Sequence, residues 1–318
     1  MADIATVKKN HGKKSVKNSH GEGATATATA TATAMTKKTK VALAPPAPPA
    51  PAAPAPPAPN RDYLIQARWT KASFLRQVVE SIKDLINETN MDWDKSGIRI
   101  QGMDSAHIAL SNIFLDATDC ECYHVKEGIT IGLDMLRMSK ILAMANPDDS
   151  CELFIKSDED ASLSILLESP NSFKKGLFEI PLLEIEMEFL NIPETIYKNE
   201  IKISASEIPS AIREMSFLGD VVTMTVDNNR FSISIQGDHG KGVRTWSGDC
   251  LTIRSDLDEK FSQPFPIKYL LLALKAATTT QTLILEISDN CPLRIRCMFG
   301  KNSHIINFVA PKLIDTDE

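Results

Sequence analysis

Asp104, Ser105 and His107 sit close enough in sequence for a hydroxyl nucleophile to meet a base. No glycine-rich elbow and no phosphate-cradling loop accompanies them, so nothing would expose the serine or hold a developing oxyanion. The chain is not read as an enzyme. Its cysteines (Cys120, Cys122, Cys151, Cys250, Cys291 and Cys297) form no C-x-x-C pair and stand beside no histidine cluster, which argues against a zinc centre. They are expected to be reduced and structural, and no metal or cofactor is implied. The residue type that does recur with a pattern is the cation. Arg76 and Lys83, Arg137 and Lys140, Arg213, and Lys268 and Lys275 fall on four segments of helical periodicity, on the side away from the apolar positions. Such cations suit contact with a phosphate backbone.

The charge background gives this pattern its weight. The chain has 318 residues and a formal net charge of −6, and 43% apolar residues suffice for two sizeable cores. Residues 1–60 differ from the rest. An Ala-Thr alternation runs from Ala24 to Ala34, and a Pro-Ala run from Pro45 to Pro59 holds nine of the 18 prolines. Neither can bury enough apolar surface to offset its ordering entropy, so disorder is expected through residue 60. Eight lysines against Asp3 and Glu22 give this tail +6, which leaves −12 for residues 61–318. A body so acidic cannot grip nucleic acid over its whole surface, and any contact must come from a local basic face. No signal-peptide core and no apolar run of membrane-spanning length is present, so no membrane partner is expected.

The elements that must position the cations occur twice. Ile98-Arg99-Ile100-Gln101-Gly102 returns as Ile233-Ser234-Ile235-Gln236-Gly237, 135 residues later, each copy alternating with period two. Before the first, Ser73 opens a helical stretch with Phe74, Val78, Val79, Ile82, Leu85 and Ile86. Before the second, Ser206 caps one with Ile208, Ala211, Ile212, Met215 and Leu218. Helices over Leu133–Ala145 and Ile267–Ala277 follow, then strands over Cys151–Lys156 and Thr282–Ser288, then Ser162–Glu168 and Pro292–Met298. The fold class is α+β: a duplicated module, domain 1 over 61–180 and domain 2 over 199–318. The acidic-apolar stretch 181–198 connects them.

Several segments carry a resemblance to a known family. Leu85-Ile86-Asn87-Glu88, Gln101-Gly102-Met103-Asp104-Ser105-Ala106-His107, Met138-Ser139-Lys140-Ile141-Leu142, Leu218-Gly219-Asp220 and Ala310-Pro311-Lys312 resemble the proliferating cell nuclear antigen family, the sliding clamps of eukaryotes and archaea. The resemblance covers nearly all of residues 63–314. It implies a homotrimeric, pseudo-sixfold ring around duplex DNA, with helices lining the hole and antiparallel sheets outside. It also implies a non-enzymatic processivity factor that tethers DNA polymerase, a clamp loader and other short-motif replication and repair proteins, in the nucleus or in a viral replication compartment. The seven cations match lining positions, while Gln77 and Ala143 stand where relatives commonly have lysines. Partners would dock on Met103, His107, Ile108, Leu110, Leu190, Ile192, Pro292, Phe308, Val309, Ala310, Pro311 and Leu313. Subunits would join through edge strands Phe173–Ile180 and Gly242–Ser247, with Met144, Phe178, Ile212, Met215 and Val243 in contact. Val226 occupies the position where many relatives carry a ubiquitin-accepting lysine. A checkpoint-type subunit and a viral factor acting as monomer or dimer are the rival assemblies, and Lys37-Lys38-Thr39-Lys40 has the composition of an import signal.

Overall fold

The computed structural model describes residues 58–170, 174–186, 189–227, 229–255 and 260–312. The tail expected to be disordered lies outside the described residues up to position 57, as do Phe173 and Leu313. The chain traverses one element order twice. The first pass is β1 (Ile65–Trp69), α1 (Ala72–Ile82), β2 (Glu88–Asp94), β3 (Gly97–Met103), β4 (Ala109–Asp116), β5 (Cys122–Val125), β6 (Ile129–Asp134), α2 (Met135–Leu142), β7 (Ser150–Ile155), β8 (Ser162–Glu168) and β9 (Lys175–Pro181). The second is β10 (Asn199–Ser204), α3 (Glu207–Met215), β11 (Val221–Asp227), β12 (Arg230–Gly237), β13 (Gly240–Ser247), β14 (Leu251–Ser255), β15 (Phe261–Pro266), α4 (Ile267–Ala273), β16 (Thr282–Ile287), β17 (Leu293–Phe299) and β18 (Ser303–Val309). Each pass also places a short 3-10 turn after its fourth or equivalent strand, Ala117–Asp119 and Gly248–Cys250.

All strands pair antiparallel in three sheets: β5-β1-β7-β8-β9, β14-β10-β16-β17-β18-β4-β3-β2-β6, and β13-β12-β11-β15. The nine-stranded sheet is continuous because β18, last of the second pass, pairs with β4 of the first. Strict alternation makes this possible. On β3, β4 and β18 the residues Ile98, Ile100, Ile113, Leu115, Ile305, Asn307 and Val309 are fully buried, and the residues alternating with them face outward. The inward face packs on the helices, where the Asn307 amide donates to the Ala273 carbonyl of α4 at 2.7 Å. The helices form one layer in the order α2, α1, α4, α3.

Three expectations change in the structure. The helix expected to open at Ser73 begins one residue earlier, at Ala72: Lys71 holds the cap place without a side-chain bond, and the first helical N–H, of Ala72, donates to the Asp149 carbonyl at 2.6 Å. The repeat is real, but its Gln-Gly match is two residues out of register. The hairpins β2–β3 and β11–β12 turn at equivalent points, and Gly97 and Arg230 open their second strands, so Phe231 is the counterpart of Ile98. Lys275 lies in a 3-10 turn, Leu274–Thr279, that continues α4.

Candidate functional site

The helix layer presents the seven cations on the side away from the sheets. Lys140, Arg137, Arg213 and Lys268 are exposed, while Arg76, Lys83 and Lys275 are half-buried. Three have carboxylate partners. Lys83, at the C-cap of α1, meets Glu80 at 2.8 Å, and Arg137 meets Asp134, at the N-cap of α2, at 3.0 Å, each pair three residues apart. Lys275 pairs with Asp84 of α1. Burial works against the Glu80 carboxylate, yet hydrogen bonds from Lys83 and from the Ser139 hydroxyl hold it below the ordinary carboxylate range. Among the described residues Arg76, Lys140, Arg213 and Lys268 have no carboxylate partner. Lys268 instead lies 5.3 Å from the Tyr269 ring centroid. Between α3 and α4 runs a groove of about 850 Å³ that carries Arg213 and Lys275 with the hydroxyls of Ser206, Ser210 and Thr278. The layer therefore offers a few free cations spread over several helices, an arrangement that attracts a polyanion without fixing its register.

The opposite, outward face of the nine-stranded sheet carries a row of apolar side chains. Met103, Leu110 and Phe308 stand directly across from one another on β3, β4 and β18. The chain between β9 and β10 crosses this face and is stitched to it. Gln101 donates to the Leu190 carbonyl at 3.0 Å and accepts from the Leu190 N–H at 2.6 Å, and Asn90 donates to the Ile185 carbonyl at 3.1 Å. Leu190 is 44% exposed and Ile192 half-buried, one row from Met103 and Leu110. His107 caps the turn after β3 with φ +57°, and Asp104 fixes that turn by accepting the N–H groups of Ala106, Ile108 and Ala109 at 2.6–2.8 Å. Ala310 donates to the Ile108 carbonyl at 2.8 Å, which brings Ala310 and Pro311 beside Ile108. Pro292 is exposed, and its carbonyl accepts from the Tyr197 hydroxyl at 2.9 Å.

At the two ends of the molecule's sheets, β9 and β13 have a strand on one side only among the described residues. Two of the other edges are covered, since Leu183 bridges to Gly132 on β6 and Lys312 donates to the Pro264 carbonyl on β15 at 2.9 Å, while the short β5 and β14 also have a strand on one side only among the described residues. Along β9 and β13, Leu177 is 56% and Val243 68% exposed, with Met144 at 59% and Phe217 at 69% nearby in sequence to α2 and α3. A long apolar edge left open in this way invites another strand.

Comparison with known proteins places this geometry. Residues 64–189 match the proliferating cell nuclear antigen N-terminal domain, and residues 191–312 match its C-terminal domain. The chain belongs to the proliferating cell nuclear antigen family. Relatives named Proliferating cell nuclear antigen include one from Chaetomium thermophilum, 29% identical over 260 residues, covering 80% of this chain and 100% of that protein. Another, from Dictyostelium discoideum, is 28% identical over 257 residues, covering 79% and 100%. A crystal structure of the Entamoeba histolytica protein superposes with a TM-score of 0.73 at 25% identity, covering 79% of this chain and 100% of that one.

As a member of this family the protein is a DNA sliding clamp, a non-enzymatic homotrimeric ring. It encircles duplex DNA and tethers polymerase and other replication proteins, acting as a processivity factor. Two of the expected site residues need correction. Ile212 is fully buried inside the α3 stripe with Ile208 and Met215, so it is core and reaches no neighbouring subunit. Val309 is likewise 0% exposed, on the inward side of β18, and its side chain walls no pocket. Conversely, Phe217, Leu177 and Lys241 at the open edges, and Ile306 beside Phe308, had no distinguishing sequence signal. Only their exposure on a free edge or outward face marks them. Burial raises the thiols of Cys120, Cys151 and Cys297 to about 12, which leaves those cysteines inert.

Proposed function

We propose that this clamp meets DNA through Arg76, Lys83, Arg137, Lys140, Arg213, Lys268 and Lys275, and that its two modules span 61–180 and 199–318 with 181–198 as connector. Short partner motifs, including those of a clamp loader, dock on the outward row Met103, Leu110 and Phe308, flanked by His107, Ile108, Leu190, Ile192, Pro292, Ala310 and Pro311. Adaptable Met and aliphatic walls beside backbone groups suit a peptide anchor. The named relatives come from eukaryotes, which supports a nuclear location.

The observation that carries the assembly is the duplication of strands. The counterparts of β18 and β4, which pair within the chain, are β9 and β13, which are open. Their register follows from matched positions. Leu163 and Leu293 are the first buried residues of β8 and β17, and they pair with Ile180 and Val309. Ala117 and Gly248 open the matching 3-10 turns after β4 and β13. Carried across, the Phe308–Leu110 pair becomes Glu179 opposite Lys241, Ile306–Asn112 becomes Leu177 opposite Val243, and Asn307–Ser111 becomes Phe178 opposite Gly242. Each is a complementary pair: opposite charges, two exposed aliphatics, and a ring over a residue without a side chain. Phe217 of one subunit then reaches Met144 of the next.

Cross-linking tests this. Directly opposed strand residues have Cα atoms roughly 4.5–5.5 Å apart, within reach of a disulfide. Leu177→Cys with Val243→Cys should give a covalent trimer on mild oxidation, whereas each single variant should not. If only the pairing shifted by two residues cross-links, the register is wrong. If no pairing does, the edges are not the joint.

A further inference from the structure

Two rows along from Met103, Leu110 and Phe308, the same three strands bring Arg99, Phe114 and His304 side by side. With Asn112 below and Phe189 above they enclose a cavity of about 380 Å³ under the crossing chain. Its walls are planar. The Arg99 guanidinium lies 5.3 Å from the Phe114 ring centroid, the His304 ring is 5.6 Å from Phe114 at 44°, and Phe189 is 52% exposed. Its charges are spent. Arg99 pairs with Asp94, and burial holds His304 below the ordinary histidine range, so the imidazole is neutral at pH 7. The Asn112 amide has no partner among the described residues and faces the cavity.

We propose that this cavity is an accessory pocket of the partner site, and that it takes one uncharged aromatic side chain with a polar tip from the bound partner segment. The inference rests on the partner-site reading above. Planar walls favour a ring in stacked or edge-on contact. A charged side chain would lose its hydration and find no free counter-charge. The polar tip meets Asn112, whose amide would otherwise be buried unpaired on binding. The spacing follows from the sheet: two rows are four residues, about 13 Å along an extended chain, so the ring belongs about four residues beyond the apolar anchors.

The test uses the full chain and calorimetric titration of two peptides. One carries paired aromatic anchors alone; the other adds a Gly-Ser spacer and a tyrosine four residues beyond them, in versions extended at either end. One extended version should bind about tenfold tighter than the short peptide. Phe114→Ala, an outward-facing position, should remove that gain and leave the short peptide unchanged; Asn112→Arg, which fills the cavity, should do the same if the first variant folds poorly. Glutamate in place of the tyrosine should give no gain. Absence of any gain, or a gain that survives both variants, overturns the pocket. A second arm separates this failure from that of the main site. N-acetyl-tyrosinamide alone, followed by saturation-transfer NMR, should contact wild type and Leu110→Ser but not Phe114→Ala. Contact by the amide with no binding of the short peptide would leave the pocket standing and refute the anchor row. No contact with wild type would refute the pocket.

Discussion

The internal joint, where β18 meets β4, and the open edges β9 and β13 are built on equivalent strands of the two passes and carry different chemistry. At the internal joint the Asp119 carboxylate accepts from the Lys301 N–H at 2.5 Å, the Ser303 N–H at 3.1 Å and the Ser303 hydroxyl at 2.6 Å. Gly300, at φ +60°, lets that turn close on Asp119, whose Oδ2 sits 2.5 Å from where a Cβ would be. Lys275 pairs with Asp84, and Phe74 packs on Phe299 with ring centroids 5.3 Å apart. At the open edges Cys250 takes the place of Asp119, Ala143 that of Lys275 and Phe217 that of Asp84. A joint within one chain can rely on a polar lock whose partners never separate. A joint between chains exposes its surfaces to water first, and here it offers aliphatic, aromatic and singly charged groups that each phase tolerates.

The largest expected effect breaks the open joint. Glu179→Lys places like charges opposite Lys241 at all three joints of the ring. At about 1 kcal/mol for each cross-strand pair, the trimer constant should fall roughly 100-fold or more. Lys241→Glu in the same chain should restore it, as read by sedimentation velocity at micromolar concentration. A double variant no better than the single one would refute the register.

The internal lock should show itself next. Asp119→Ala leaves the Lys301 and Ser303 donors without their acceptor and should cost about 1–3 kcal/mol of subunit stability. Cys250→Ala, at the matching position, should stay within about 0.5 kcal/mol. Denaturant unfolding of both variants sharpens the contrast, and equal losses would remove it.

The smallest effect is acidic. Glu168 on β8 is held below its ordinary value of 4.5 by a hydrogen bond from Lys175 on β9, against burial, with further help from Arg68. A depressed carboxylate contributes stability that is fully present above the ordinary value and is lost as pH falls through the lower folded value. The trimer should therefore weaken a few-fold on acidification below about pH 4.5, through loosening of β9. Glu168→Gln should be weaker at neutral pH and less sensitive to acid. A wild-type profile that matches the variant's would rule the ion pair out as a support of the edge.

Much of this architecture is legible in the chain. Period-two alternation places β8 at Ser162–Glu168, and 3.6 periodicity places all four helices, though their ends differ by a residue or more. The α1 start lies one residue before Ser73, where the first N–H is satisfied by Asp149, a partner from a distant loop, and not by a local cap. Ile212 was misplaced because an apolar residue on a helix carries the same signal whether it faces its own core or a neighbour.

The duplication, the family and the positions of the cations on an acidic body are readable from the chain, since each depends only on residue type and order. The pairs Lys83–Glu80 and Arg137–Asp134 are local, each spanning three residues of the chain. Tertiary structure alone decided that Lys275 is neutralised by Asp84, 191 residues away, that β9 and β13 are left open, and that Arg99, Phe114 and His304 share one cavity. Those facts exist only once β18 closes on β4, because closure brings together groups that no local periodicity relates.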